Sequence, residues 1–492
     1  MADISTVSDD RAILENPGVA ELLRSLAGIL KVQAGTVELL SEDRLRSEGI
    51  EIVVQAAVFG DHEDVRDTAR WLIGEAAAAA GVVPASIHDL YLARGRGEIS
   101  GFTVPAMNLR AAAFDTGRAL FAAARELDVG ALICEIARSE IGYTDQRPAE
   151  YVAVITAAAV REGWRGPLFI QGDHFQINAK KYALDPEPEV RAVRDLVREA
   201  IVAGFYNIDI DTSTLVDLSK ATLPEQQDTN ARLSAELTAF IRAIEPEGVT
   251  VSVGGEIGEV GTENSTAEEL RAYMDGYNNA LADIGVRVGK PLTGISKISV
   301  QSGTSHGGVV LADGSIAEVA IDFETLEVLS TLAREEYDLG GAVQHGASTL
   351  PEGAFGHFPE AETAEIHLAT NFQNIFFEHE ALPEELRSRM YDHCRTSLSE
   401  ERKPADSEEQ FIYKARKKAL GAFKRELWNI PEENRAAIRE TLKSKFAFLF
   451  RQLRVDNTRE IVAQYVAPPA FTRSGPSALR VKAAADDWDL SD

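Results

Sequence analysis

The chain has 492 residues, 45% of them hydrophobic and 26% charged, the balance of a soluble globular protein with room for one large domain and additions. A formal net charge of −28 argues against a nucleic-acid or anionic-membrane surface, although a local pocket on an acidic protein can still be positive. Two cysteines, Cys134 and Cys394, exclude a disulfide framework and a cysteine-based zinc site. The opening MADISTVSDDRA has no apolar core, so it does not read as a secretory signal. The alanine run from Trp71 to Val83 is too short for a membrane span and contains Glu75. The expectation is a cytoplasmic protein with neither membrane nor nucleic acid among its partners.

Residues 1–98 read as a helical extension without a clear strand. Pro17 to Lys31 carries Val19, Leu22, Leu23, Leu26, Ile29 and Leu30 at helical spacing, and His62 to Ala80 repeats the pattern with Asp61 as the expected N-cap. From Gly101 the rhythm becomes strand, loop, helix. Strands are expected at Phe102–Leu109, Ala131–Ala137, Leu168–His174, Phe205–Ser213, Val249–Gly258, Ile295–Gly303, Gly341–Ser348 and Glu365–Asn371. Amphipathic helical stretches separate most of them. Leu350–Ala361, with Pro351, Gly353, Gly356 and Pro359, allows only a loop or a very short helix. Eight strands alternating with helices predict an α/β fold, a (β/α)8 TIM barrel over residues 99–380. Residues 381–466 read as helical again, with a basic stretch from Lys414 to Glu426. That stretch is either a solvated face or a reach toward substrate phosphate. Residues 467–492 read as a flexible acidic tail.

The chemistry concentrates at strand ends. In PLFIQGDHF (Pro167 to Phe175) an apolar run stops at Asp173 and His174. His306 and His345 likewise follow apolar runs and precede glycine. A barrel brings strand ends to one mouth, where three imidazoles would hold a divalent metal and leave a position open for substrate. For Asp173 and His174 to serve one site, the strand must end between them and the loop, since neighbours on a regular strand point to opposite faces.

The chain resembles the class II, metal-dependent ketose-bisphosphate aldolases, the family of fructose- and tagatose-bisphosphate aldolases. The resemblance runs in order from Asp89–Asn108 through QGDHF, GFYNIDIDTS, GGEIGEVGTEN, SGTSHGG, IDFETL and VQHGAST to LATNF. It implies a zinc-dependent aldehyde-lyase, with another divalent metal possible and a monovalent cation as a further candidate. The reaction would reversibly split a phosphorylated ketose into dihydroxyacetone phosphate and an aldehyde, in the context of carbohydrate metabolism such as glycolysis. By position, it implies His174, His306 and His345 as metal ligands and Asp173 as general acid/base. Glu256 becomes an alternative ligand or a partner near the metal, and Glu263 the acid for a second proton transfer. Gly307, Gly346, Ala347, Ser348, Ala369, Thr370 and Asn371 would bind phosphate and substrate, and a homo-oligomer, dimer or tetramer, is the family habit. The pattern departs in four places. His367 stands where the family commonly has asparagine against the enediolate, Asn371 replaces an acid, Gly261–Asn264 alters the acidic loop, and no basic residue follows His306-Gly307. These departures leave the ketose open. They also keep alive a catalytically silent barrel that supports a separate aldolase, and, more weakly, a metal-dependent hydrolase.

Overall fold

The computed structural model describes residues 16–33, 35–258, 263–303, 311, 321–469, 475–476 and 479. Its strands, in chain order, are β1 (Leu30–Gln33), β2 (Thr36–Leu39), β3 (Val82–Ala85), β4 (Val104–Asn108), β5 (Ile133–Ala137), β6 (Gly166–Gln176), β7 (Asn207–Asp211), β8 (Ser252–Glu256), β9 (Lys297–Val300), β10 (Ala342–Gln344) and β11 (Glu365–Leu368). Strands β4 to β11 pair in parallel with their neighbours. The ring closes because β11 pairs with β4 and β6 with β7. The fold is therefore a (β/α)8 TIM barrel, with each of the eight expected strands present.

The helices form where apolar spacing and end signals agree. Pro148–Glu162 opens with proline and stops at Gly163 in a left-handed conformation. Leu223–Ile244 and Ala267–Val288 open with capping boxes, Thr222 with Glu225 and Thr266 with Glu269, a cap being worth about 1 kcal/mol. Between β10 and β11 stand only short 3-10 turns and the four-residue helix His357–Glu360.

The N-terminal segment is not purely helical. β1 and β2 form an antiparallel hairpin, and β3 joins the barrel sheet beside the lower half of β6. The cap of helix Glu63–Ala79 is His62, one residue later than expected, accepting from the Asp64 amide. The C-terminal helix Glu432–Gln452 buries Ile438, Leu442 and Phe446 against the barrel, and Arg435 and Arg439 close on the carboxylate of Asp115. The Lys414–Glu426 stretch is not a simple solvated face. Arg416 is buried and pairs with Glu378 at 2.8 Å, while Lys424 reaches Glu150 at 2.5 Å. No described helix is long and apolar enough to cross a membrane.

The barrel interior departs from the usual apolar filling. Along the strands, charged and polar residues recur with period two, so they share the inward face. Register sets Glu135 level with Gln171, Ala137 with Asp173, and Gly254 with both Asp209 and Lys297. A Cβ on Gly254 would stand 2.3 Å from Asp209 Oδ1, so only glycine leaves room for the Asp209–Lys297 pair.

A candidate metal centre at the barrel mouth

Asp173 and His174 reach the same side by a bulge rather than by the strand ending. β6 runs on to Gln176, but its register against β7 slips between Gly172 and Phe175, and His174 sits at φ 41 in the left-handed region. That break in alternation lets consecutive side chains serve one site. Left-handed backbone is costly for a residue with a Cβ, a strain that functional sites commonly store.

Asp173, His174 and His345 bring donor atoms within 4.8 Å of one another. His174, Asp211 and Glu256 form a second such group: His174 Nδ1 lies 2.9 Å from Asp211 Oδ2 and 3.2 Å from Glu256 Oε2. The imidazoles stand in a row, with ring centres 4.2 Å apart from His174 to His345 and 4.0 Å from His345 to His367. Burial opposes charge on His174, but Asp173 and Glu256 outweigh it and raise its pKa well above the ordinary range. Burial, with Asp211 nearby, pushes Glu256 up to about 7.

His367 lies deeper, 5% exposed, among four carboxylates. Its Nδ1 is 3.0 Å from Glu135 and 3.2 Å from Asp173; its Nε2 is 2.7 Å from Glu365 and 3.6 Å from Asp209. Burial opposes charge on His367, but Glu135 and its other carboxylate neighbours outweigh it and hold its pKa well above the ordinary range, so the contacts are ion pairs. Below it, Lys297 Nζ reaches Glu365 at 2.6 Å, Gln171 at 2.7 Å and Asp209 at 3.0 Å, and the Tyr91 hydroxyl donates to Glu365. Burial works against an ionised Glu365, yet Lys297 prevails and draws its pKa down to about 2.

The structure thus gathers Asp173, His174, Glu256, His345 and His367, while Glu263 is exposed to solvent. His306 and Gly307 lie outside the described residues. Gly346 opens a 3-10 turn over Ala347–Thr349, and Thr370 and Asn371 begin a helix of nine residues preceded by Ala369. Ser348 Oγ accepts from the amides of Ala369 and Thr370 at 2.7 and 3.2 Å, so two amides expected to face phosphate already have a partner. Glu135, Gln171, Asp209, Asp211, Lys297 and Glu365 were not among the expected site residues. The signal for Asp209, Asp211 and Glu365 was the two-residue recurrence in NIDID (207–211) and EIH (365–367), polar residues alternating with isoleucine on strands.

A closed parallel barrel with imidazoles and carboxylates at the carboxyl ends of its strands has the architecture of barrel enzymes that work at that face. Residues 96–443 match the family model of fructose-bisphosphate aldolase class-II, and the chain belongs to that family. Among solved structures, it is similar to a probable tagatose 6 phosphate kinase from Sinorhizobium meliloti 1021, at 16% identity and a TM-score of 0.48, over 75% of this chain and 95% of that one. A fructose-bisphosphate aldolase from Campylobacter jejuni gives 16% identity and a TM-score of 0.46, over 77% and 97%. The fructuronate-tagaturonate epimerase UxaE from Cohnella laeviribosi gives 12% and 0.46, over 91% and 90%. No curated protein matches the chain.

Proposed function

We propose that this chain is a metal-dependent aldolase that reversibly cleaves a phosphorylated ketose, such as fructose- or tagatose-bisphosphate, to dihydroxyacetone phosphate and an aldehyde. The observation that carries the reading is the convergence of Asp173, His174 and His345 within 4.8 Å at the mouth of a barrel of this family. Two imidazoles beside carboxylates are a donor set that suits zinc or a similar divalent ion, with His306 as the third imidazole. When bound, such an ion supplies positive charge against the negative charge that carbon–carbon cleavage leaves on the ketone fragment.

The chain's own residues do the rest. Asp173, largely buried next to His174, takes the proton from the hydroxyl that becomes the aldehyde and returns it in the condensation direction. Glu256 and Asp211 hold His174 from its Nδ1 side and keep Nε2 turned toward Asp173. Glycine and small hydroxyls after β10 and β11 would receive a phosphate, with Arg110, whose Nη2 lies 3.4 Å from Thr370 Oγ1, as the nearby cation.

The test uses zinc-loaded protein with fructose 1,6-bisphosphate and tagatose 1,6-bisphosphate. Asp173→Asn should lower turnover about a hundred- to ten-thousand-fold with zinc content unchanged. His345→Ala should lose zinc and turnover together. Near-normal cleavage by Asp173→Asn, or no cleavage of any phosphorylated ketose by wild type, would reject the reading.

A further inference from the structure

Ser348 Oγ already accepts from the amides of Ala369 and Thr370, so the backbone after β11 is partly spent as an anion cradle. The unused donors at this corner of the mouth belong to side chains. Arg110 stands two residues past β4 and is 6% exposed. Its Nη1 donates to Glu140 and, at 3.3 Å, to the Tyr143 hydroxyl. Its Nε is buried with no hydrogen-bond partner among the described residues, and its Nη2 has only Thr370 Oγ1 at 3.4 Å. Nε and Nη2 share one edge of the guanidinium plane, where two parallel N–H groups match two oxygens of a carboxylate or a phosphate. Arg110 also lines a small cleft with Thr144, Gln146 and Lys424, so the guanidinium has open space beside it.

The basic stretch brings a second cation to the same place. Lys417 lies half-buried in the 3-10 turn Arg416–Ala419, its Nζ 5.9 Å from the centre of the Tyr143 ring. It makes no hydrogen bond or ion pair among the described residues. Its neighbour Arg416 fixes the turn: the guanidinium lies over Tyr413 at 4.7 Å and reaches Asn374 at 2.7 Å and Glu378 at 2.8 Å. Both partners belong to the helix Thr370–Glu378, so the helix that begins with Thr370 also holds Lys417 in position. Burial, and after it the charge of Arg110, lower the Lys417 pKa. Glu140 balances the charge of Arg110, which leaves that of Lys417 uncompensated.

We infer that the Nε–Nη2 edge of Arg110 and the hydroxyl of Thr370 receive the anionic end of the substrate, with Lys417 supplying the positive charge that Glu140 cancels on Arg110. The ligand class is a small sugar ending in a phosphate or a carboxylate, which offer the same pair of oxygens. The C-terminal region is then part of the site, because the lysine that sets its charge comes from outside the barrel. The inference deepens the proposed function and rests on it only for the ligand being a sugar.

The experiment measures binding of inorganic phosphate and of acetate to full-length, zinc-loaded protein by calorimetry at pH 7 and low salt. Wild type should bind at least one of them; tighter phosphate assigns a phosphorylated end, tighter acetate a carboxylate end. Lys417→Gln should weaken the tighter probe about ten-fold, and Lys417→Arg should restore it. Arg110→Lys keeps the charge beside Glu140 but loses the two-donor edge, and should weaken it about ten- to a hundred-fold. Should Arg110→Lys fail to fold, judged by circular dichroism, Thr370→Val is read in its place, with weaker binding expected. A wild type that binds neither probe, or an unchanged affinity in any one of the folded weakening variants, overturns the inference. Binding that depends on Lys417 in a protein that cleaves no ketose keeps the inference and rejects the proposed function. Cleavage with KM unchanged in Lys417→Gln overturns the inference and leaves the proposed function intact.

Discussion

Lys297→Met is the most direct test of how the barrel tolerates a charged interior. Methionine keeps much of the length and apolar bulk of the side chain but removes an ammonium that is 1% exposed and holds Glu365 at 2.6 Å and Asp209 at 3.0 Å. Removing one partner of a buried pair typically costs about 3–5 kcal/mol, because the other charge stays behind without compensation. A second route to the magnitude agrees. The orphaned Glu365 can neutralise itself by taking a proton, and doing so at pH 7 against an ordinary glutamate pKa of 4.5 costs about 3 kcal/mol. Urea unfolding of metal-stripped protein, followed by circular dichroism, should therefore show a loss of about 3–5 kcal/mol at pH 7. Because proton uptake becomes easier in acid, the loss should shrink toward pH 5. Adding Glu365→Gln to Lys297→Met should recover part of the loss, since it removes the stranded charge. A loss below about 1 kcal/mol, or one that does not diminish toward pH 5, would refute the assignment of Lys297 as the counter-ion of this network.

Other outcomes follow from the same geometry. Glu135 and Glu256 are raised to about 7 by burial and by Asp173 and Asp211 respectively, so the folded state holds these protons more tightly than the unfolded chain does. Their contribution to stability is present below pH 4.5 and is lost as pH climbs to about 7, and His174 and His367, raised well above 6.5, act in the same direction. The melting temperature of metal-stripped protein should fall between pH 5 and pH 8; a flat or rising profile in differential scanning calorimetry would contradict this. Gly254→Ala places a methyl group 2.3 Å from Asp209 Oδ1 and 2.9 Å from the Lys297 side chain, and should cost about 1–3 kcal/mol in the same urea assay. An unchanged unfolding midpoint would show that the interior repacks freely there.

The barrel was legible because its strands are apolar runs bounded by glycine and proline and separated by helices with strong end signals. Two features of the N-terminal segment were not. β1 and β2 are four residues each, LKVQ and TVEL, and their alternation is too short to compete with the helical spacing that precedes it. β3 follows an alanine-rich helix directly, and its pairing with β6, some eighty residues away, leaves no local trace. At the mouth, Asp173, His174 and His345 stood out as polar residues ending apolar runs. The bulge that turns Asp173 and His174 to one side did not, because it depends on how β6 meets β7. Alternation in NIDID and EIH shows that one face of each strand is polar, but only closure of the ring reveals that this face points inward.

β6 has eleven residues and two successive partners along one edge: β3 from Gly166 to Phe169, then β7 from Gln171 onward. Asn207 stands where the ladder divides, its side chain bonded to the backbone of Ala85, Ile87 and Ile170. The segment ahead of the eight-stranded ring thus closes a gap in it. Trimming the protein to residues 99–443 would bare the lower edge of β6 and strip Asn207 of two of its three partners. An exposed strand edge invites a second chain to pair with it, so such a fragment would self-associate through that edge instead of standing alone as a minimal barrel.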